Sequence, residues 1–113
     1  MCSRQQLEQI MKELACNVKG LFGDAVAELI LFGSYAREEA DDASDIDVMV
    51  LVDLSREDLP KYRRSIAEIA GNLLYEHEVV VSPLLESRAF FERHRRSYPF
   101  FQRIDQEGIR YAA

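Results

Sequence analysis

The chain has 113 residues, a formal net charge of −6 and 48% hydrophobic residues. This length leaves room for one domain with a modest core, and the negative charge argues against non-specific binding to nucleic acid. The sequence contains neither a membrane-length apolar run nor a signal segment, and Cys2 and Cys16 lack metal-ligand spacing. We therefore expect a soluble protein of the reducing cytoplasm, without a structural disulfide.

The hydrophobic pattern of the first half predicts helices and strands in alternation. Apolar residues at spacings of three and four predict a helix over 4–21, with Ser3 as its N-cap. A continuous apolar run predicts a strand over Val26–Phe32 that is covered on both faces. A short helix over Tyr35–Ala40, an acidic loop and a second strand over Asp45–Val52 are predicted to follow.

The second half continues the alternation. Its predicted elements are a helix over 56–75, a strand over Glu78–Leu85, helices over 88–94 and 97–107, and a short strand or tail over Ile109–Tyr111. Ser55 and Ser87 are predicted N-caps, the first with Asp58 in a capping-box variant, and Gly108 ends the last helix. Pro83 indicates that the third strand lies at an edge or ends there. Strands that alternate with helices predict an α/β domain with helices packed on a sheet.

Two strand ends carry the residues that predict chemistry. Gly33 and Ser34 follow the first strand, and Asp45 and Asp47 flank Ile46 where the second strand begins. Alternate strand residues share a face, so these carboxylates repel and raise each other's pKa unless a divalent cation such as Mg²⁺ neutralises them. Backbone N–H groups at the Gly33-Ser34 turn suit a phosphate. The pattern predicts metal-assisted phosphoryl or nucleotidyl transfer.

The string GSYAREEADDASDIDVMV, which starts at Gly33, resembles the minimal nucleotidyltransferase (MNT) group of the DNA polymerase beta-like nucleotidyltransferase superfamily. That superfamily is marked by a strand ending in Gly-Ser and, further on, by Asp-x-Asp at the start of a strand. Ten residues separate Ser34 from Asp45 here. The resemblance implies the nucleotidyltransferase fold, of the α/β (α+β) class, with a small mixed sheet, in one domain over 1–113. It also implies ATP as the substrate and two Mg²⁺ ions held by Asp45 and Asp47.

The resemblance also implies a third carboxylate on a later strand, which acts as general base and helps to bind one metal ion. The candidate is Glu78 at the start of the predicted third strand, with Glu76 as the fallback; an ordinary strand-edge acid is the alternative. Gly33 and Ser34 would hold the β- and γ-phosphates. Arg37 could reach a phosphate or stay solvated. Many relatives have glycine after this arginine, whereas this chain has Glu38, which adds negative charge near the phosphate site.

Members of the MNT group are often encoded beside a helical HEPN partner and act as antitoxins. The resemblance therefore implies transfer of AMP from ATP to a hydroxyl, such as a tyrosine, of a partner toxin. One alternative is a binding module that neutralises its partner by contact, with weak or no catalysis. Another is a small-molecule nucleotidyltransferase of the aminoglycoside type, against which the short chain argues.

The end of the chain carries a composition that is enriched at protein interfaces. Residues 87–113 contain six arginines and three acidic residues, and aromatic side chains lie among them. Such a mixture predicts a docking surface for the toxin at this end or at the open edge beside it. The alternative is a solvated and packed terminal helix. Homo-oligomerisation stays open.

Overall fold

The computed structural model describes residues 2–112. Its helices and strands are α1 (Arg4–Phe22), β1 (Val26–Phe32), β2 (Ile46–Val52), α2 (Arg63–His77), β3 (Val81–Ser87), α3 (Arg88–His94), α4 (Pro99–Glu107) and β4 (Ile109–Ala112). The strands form one sheet in the order β3-β2-β1-β4. β1 is antiparallel to β2 and β4, and β2 is parallel to β3. A mixed sheet with helices packed on it confirms the predicted fold class.

The sheet is covered on both faces, which explains why the β1 and β2 sequences are apolar throughout. Alternate residues of the two strands pack into two separate cores. Leu29, Leu31, Val48 and Val50 belong to the core that contains α1 and α2 residues. Ile30, Met49 and Leu51 pack with Phe91, Phe101 and Ile104 of α3 and α4. Two-sided burial was predicted for the first strand and is confirmed.

The first helix agrees with its prediction. Ser3 is the N-cap of α1, and its hydroxyl accepts a hydrogen bond from the Gln6 N–H at 3.1 Å. The buried residues of the helix are Ile10, Met11, Leu14 and Val18. Their spacing is that of the apolar stripe seen in the sequence.

The helix predicted over 56–75 is wrong in its first turns. Residues Arg56–Tyr62 form a 3₁₀ segment, and α2 starts only at Arg63. Pro60 lies inside this segment and has no N–H to donate, which disfavours a continuous α-helix through it. The predicted capping box does not form, because the Ser55 hydroxyl donates to Asp58 at 3.1 Å and caps no backbone N–H.

The third strand starts three residues later than predicted. The helix α2 continues to His77, and Glu78 ends it in a left-handed conformation with φ of 57°. The Glu78 N–H donates to the Leu74 carbonyl at 2.8 Å. Glu76 and Glu78 therefore belong to the helix and its cap, and neither lies on β3. β3 is an edge strand, as Pro83 predicted.

The C-terminal elements follow the sequence pattern closely. The Ser87 hydroxyl accepts from the Phe90 N–H at 3.3 Å and so caps α3. α4 begins at Pro99, two residues later than predicted, and ends at Glu107 with Gly108 as its C-cap. The last residues form strand β4, which pairs with β1. Within the described residues no helix is long and apolar enough to cross a membrane, and both cysteines are free thiols.

Candidate active site

A tight turn follows β1 where the sequence predicted a short helix, so that prediction is wrong. The Gly33 carbonyl accepts from the Ala36 and Arg37 N–H groups at 3.1 and 3.2 Å, and the Ser34 carbonyl accepts from Glu39 at 2.8 Å. Glu38 then has φ of 58°. A residue in the left-handed region stops the propagation of a right-handed helix, so the segment remains a turn.

Gly33 lies directly against one of the predicted metal-binding carboxylates. Its φ is 78°, and a Cβ atom built on it would lie 2.4 Å from Oδ2 of Asp47. The neighbouring Phe32 pairs with Asp47 across the antiparallel strands. A side chain at position 33 would displace the carboxylate, so the glycine is required both by its conformation and by this close approach.

The two aspartates lie together at the start of β2, as the sequence predicted. Asp45 is exposed and lies one residue before the strand, and Asp47 is half-buried within it. Burial raises the pKa of the Asp47 carboxyl, the negative charge of Asp45 raises this pKa further, and Arg37 opposes the shift. The predicted repulsion between the two carboxylates is therefore present in the fold.

Ser82 belongs to this site, although the sequence interpretation missed it. It pairs with Asp47 in the parallel register between β2 and β3, and its hydroxyl donates to Oδ2 of Asp45 at 3.3 Å. β3 therefore presents a hydroxyl, not a carboxylate, beside the two aspartates. No local pattern marks Ser82, because the register of a parallel pair is set by packing between distant segments.

Glu78 and Glu76, the two candidates for a third carboxylate, lie in different surroundings. Glu78 lines a cavity of about 380 Å³ together with Asp45, Tyr35 and Val80. It reaches this cavity from the end of α2, and not from the strand on which it was predicted. Glu76 does not line this cavity; its Oε2 lies 4.0 Å from Nε2 of His77.

Arg37 is held at the side of the site. Its Nε donates to Glu39 at 3.1 Å and its Nη1 donates to Glu107, at the end of α4, at 3.3 Å. Its positive charge opposes the rise in the pKa of Asp47, so the guanidinium acts on this carboxylate electrostatically. The side chain is partly exposed.

The donor set fits a hard divalent cation. Two carboxylates lie side by side, the pKa of one is raised by the other, and a hydroxyl is bonded to one of them. Oxygen donors of this kind suit Mg²⁺, which relieves the repulsion between the carboxylates. The missing Cβ of Gly33 leaves room for the Asp47 carboxylate.

Comparison with known proteins agrees with this geometry. The sequence profile of the family "Nucleotidyltransferase domain" matches residues 7–111. The chain belongs to this family. The Methanocaldococcus jannaschii protein named "Putative protein adenylyltransferase MJ0141" is 32% identical over 82 residues, which are 71% of this chain and 79% of that protein. "Putative protein adenylyltransferase MJ0604" of the same organism is 27% identical over 89% of this chain and 93% of its own length.

Solved structures share the fold. A mutant of the toxin–antitoxin complex MntA–HpeT matches with a TM-score of 0.59 and 18% identity, over 94% of this chain and 73% of the matched chain. A toxin–antitoxin structure with AMP-PNP matches with a TM-score of 0.55 and 16% identity, over 99% and 75% of the two chains. The predicted MNT-type resemblance and the nucleotidyltransferase class are confirmed.

Proposed function

We propose that this chain is an Mg²⁺-dependent nucleotidyltransferase that transfers AMP from ATP to a hydroxyl of a partner protein, in the first place a tyrosine. The partner is a HEPN-type toxin, and the chain acts as its antitoxin in the cytoplasm. Residues 1–113 form one catalytic domain. The protein adenylyltransferase names of the relatives and the toxin–antitoxin neighbours, one of them with AMP-PNP, support this proposal.

The contact between Gly33 and Asp47 is the observation that carries the proposal. The pairing of Phe32 with Asp47 brings the turn after β1 directly against the Asp47 carboxylate. A phosphate at the Gly33-Ser34 turn would therefore lie next to cations held by Asp45 and Asp47. Attack on the α-phosphorus of a triphosphate requires this placement of the phosphates beside the cations.

The chain's residues take separate roles in the reaction. Asp45 and Asp47 hold the cations, and the Gly33-Ser34 turn and Arg37 hold the β- and γ-phosphates. The acceptor hydroxyl attacks the α-phosphorus in line, its oxygen forms the new P–O bond, and pyrophosphate leaves. Mg²⁺, when bound, would neutralise negative charge on the phosphate oxygens. Glu78, which lines a cavity together with Asp45, accepts the proton of the attacking acceptor hydroxyl.

Replacement of the aspartate pair tests the proposal. Asp45→Asn with Asp47→Asn should abolish Mg²⁺-dependent ATP binding and leave the fold intact, because neither side chain belongs to a hydrophobic core and the amide oxygen of asparagine can still accept the hydrogen bond from Ser82. Calorimetric titration with Mg·ATP is the measurement. Asp53→Asn is the matched control, since Asp53 lies just after β2 and pairs with Arg88 at 2.7 Å, outside the site. Equal ATP binding by the double variant and the wild type would refute the site.

The role of Glu78 has its own test. Glu78→Gln should keep nucleotide binding and lose transfer of labelled AMP to the partner, since the carboxamide cannot accept the hydroxyl proton. Glu76→Gln serves as the control, because Glu76 does not line the cavity. Undiminished transfer by Glu78→Gln would remove Glu78 from the mechanism.

A second function, a binding module with weak or no catalysis, is favoured by one observation. The β3 residue paired with Asp47 is Ser82, so this strand brings no third carboxylate to the pair. Such a module would still neutralise its partner by contact. Neutralisation of the toxin by the Asp45→Asn, Asp47→Asn variant would support this function over transfer.

A further inference from the structure

An exposed aromatic side chain of α4 stands next to the candidate site. Phe100 is 48% exposed, although it lies beside the second core of the protein. Its ring centroid lies 5.8 Å from that of Phe32, and the two rings meet edge to face. Most other rings of this region pack mainly against one another, as Phe91 and Phe101 do. Phe100 therefore keeps much of its ring open to solvent.

Phe32 lies between the Phe100 ring and the Asp47 carboxylate. It pairs directly with Asp47 across β1 and β2, and opposite residues of an antiparallel pair point to the same face of the sheet. Their Cα atoms are about 5 Å apart, so the Phe100 ring lies on the order of 10 Å from the aspartate pair. This is comparable to the span from the α-phosphate of a nucleotide, through the ribose, to the base.

The other end of α4 marks the phosphate side of the site. Glu107 is seven residues after Phe100, which places it on the same strip of the helix two turns later. Its carboxylate accepts from Arg37, beside the Gly33-Ser34 turn. The strip thus runs from an exposed ring to the arginine of the candidate phosphate site. A nucleotide with its phosphates at the turn can place its base on the ring.

We propose that Phe100, whose ring is held by its edge-to-face contact with Phe32, stacks on the base of the bound nucleotide and so positions the nucleotide for transfer. This inference rests on the proposed function and adds the residue that recognises the base. A phenylalanine offers a π-face without hydrogen bonds, so it favours a purine by stacking area and does not discriminate between adenine and guanine.

Titrations of Mg·ATP and Mg·tripolyphosphate separate base binding from phosphate binding. Phe100→Ala should weaken Mg·ATP binding about tenfold and leave Mg·tripolyphosphate binding unchanged, because only the base loses its contact. Phe100→Trp should retain or strengthen ATP binding. Phe100→Leu, which keeps an apolar side chain without a π-face, should resemble alanine. Tyr98→Ala is the matched control, since Tyr98 is similarly exposed at the start of α4 and its ring contacts Phe90, His94 and Phe101 instead.

The outcomes distinguish this inference from the proposed function. If Phe100→Ala binds Mg·ATP as the wild type does, while the aspartate double variant does not, base stacking by Phe100 is refuted and the function stands. An equal loss of ATP and tripolyphosphate binding in Phe100→Ala also refutes stacking, because it shows a general disturbance of the site. A wild-type chain that binds no Mg·ATP refutes both.

Discussion

At the scale of single residues, two backbone positions of the turn after β1 shape the candidate site. Gly33 and Glu38 both have positive φ, at 78° and 58°. Glycine adopts this conformation at little cost, whereas a residue with a Cβ atom is strained there. Position 33 therefore carries glycine, the residue that suits a positive φ, whereas position 38 carries a glutamate that is strained there.

We predict that Gly33→Ala destabilises the protein and removes ATP binding. The new Cβ would lie 2.4 Å from Oδ2 of Asp47 and would strain the backbone, at a cost of about 1–3 kcal/mol in the free energy of unfolding. Gly71→Ala is the matched control. Gly71 lies within α2 with open space at its Cβ position, so alanine should stabilise by about 0.5–1 kcal/mol. Urea denaturation and Mg·ATP titration measure both effects, and a neutral Gly33→Ala would contradict the contact.

Glu38→Gly should stabilise the protein by about 1 kcal/mol, because glycine relieves the left-handed strain. Glu38→Ala removes the same charge and keeps a Cβ atom, so it should not share this gain. Thermal unfolding of the two variants separates backbone strain from charge. Equal stabilisation by alanine and glycine would assign the effect to the charge.

At the scale of elements, an ion pair fixes the far end of β3 to the 3₁₀ segment. The Glu86 side chain is 7% exposed, and Arg56 donates to its two oxygens at 3.0 and 2.9 Å. The Ser87 N–H donates to the same carboxylate at 2.8 Å. The Arg56 guanidinium also lies 3.7 Å from the centre of the Phe90 ring. One arginine thus joins the 3₁₀ segment, β3 and α3.

We expect Arg56→Ala to lower the free energy of unfolding by about 1–3 kcal/mol, because it leaves the buried Glu86 carboxylate without its charged partner. Combining it with Glu86→Gln should restore part of this loss, since a neutral carboxamide costs less to bury. Denaturant unfolding of the single and double variants is the measurement. If the double variant is as unstable as the sum of the two single variants, the pair is not coupled.

At the scale of the whole molecule, the large exposed apolar side chains divide between the two surfaces at which the sequence predicted a partner, the C-terminal end and the open edge of the sheet. The C-terminal end includes the five rings Phe90, Phe91, Tyr98, Phe100 and Phe101, and the structure buries Phe91 and Phe101 in the core. The large exposed apolar residues are Leu74, Tyr75, Val80, Leu84, Tyr98, Phe100 and Ile109. Leu74 and Tyr75 lie near the end of α2, Val80 directly precedes β3, and Leu84 lies on β3, an edge strand of the sheet. This edge is the more apolar of the two surfaces considered for the partner.

We therefore predict that Tyr75→Arg weakens capture of the partner protein and leaves the stability of the isolated chain unchanged. Tyr75 is 89% exposed, so its ring contributes little to folding, and an arginine would oppose an apolar interface. Tyr98→Arg, on the C-terminal surface, should have the smaller effect. Co-purification of tagged variants with the product of the neighbouring gene compares them. A greater loss of co-purification with Tyr98→Arg than with Tyr75→Arg would place the interface at the C-terminal end.

Secondary structure was predictable where one segment decides it alone. The apolar stripe of α1, the apolar runs of β1 and β2 and the caps Ser3 and Ser87 appear where the sequence placed them. The errors lie at positions where local preference is overridden. Pro60 divides the helix predicted over 56–75. The left-handed Glu38 interrupts the predicted short helix, and the left-handed Glu78 ends α2 at the position where the pattern predicted the start of a strand.

The sequence by itself determined the α/β class, the family and the position of the two aspartates at the start of β2, because these follow from periodicity and from residues close together in the chain. Only the tertiary structure decided what surrounds them. The parallel register of β2 and β3 brings Ser82 to Asp45, and the antiparallel register of β1 and β2 brings Phe32 to Asp47. The packing of α4 then sets Phe100 against Phe32. Contacts between distant segments depend on how whole elements pack, and no local pattern encodes that packing.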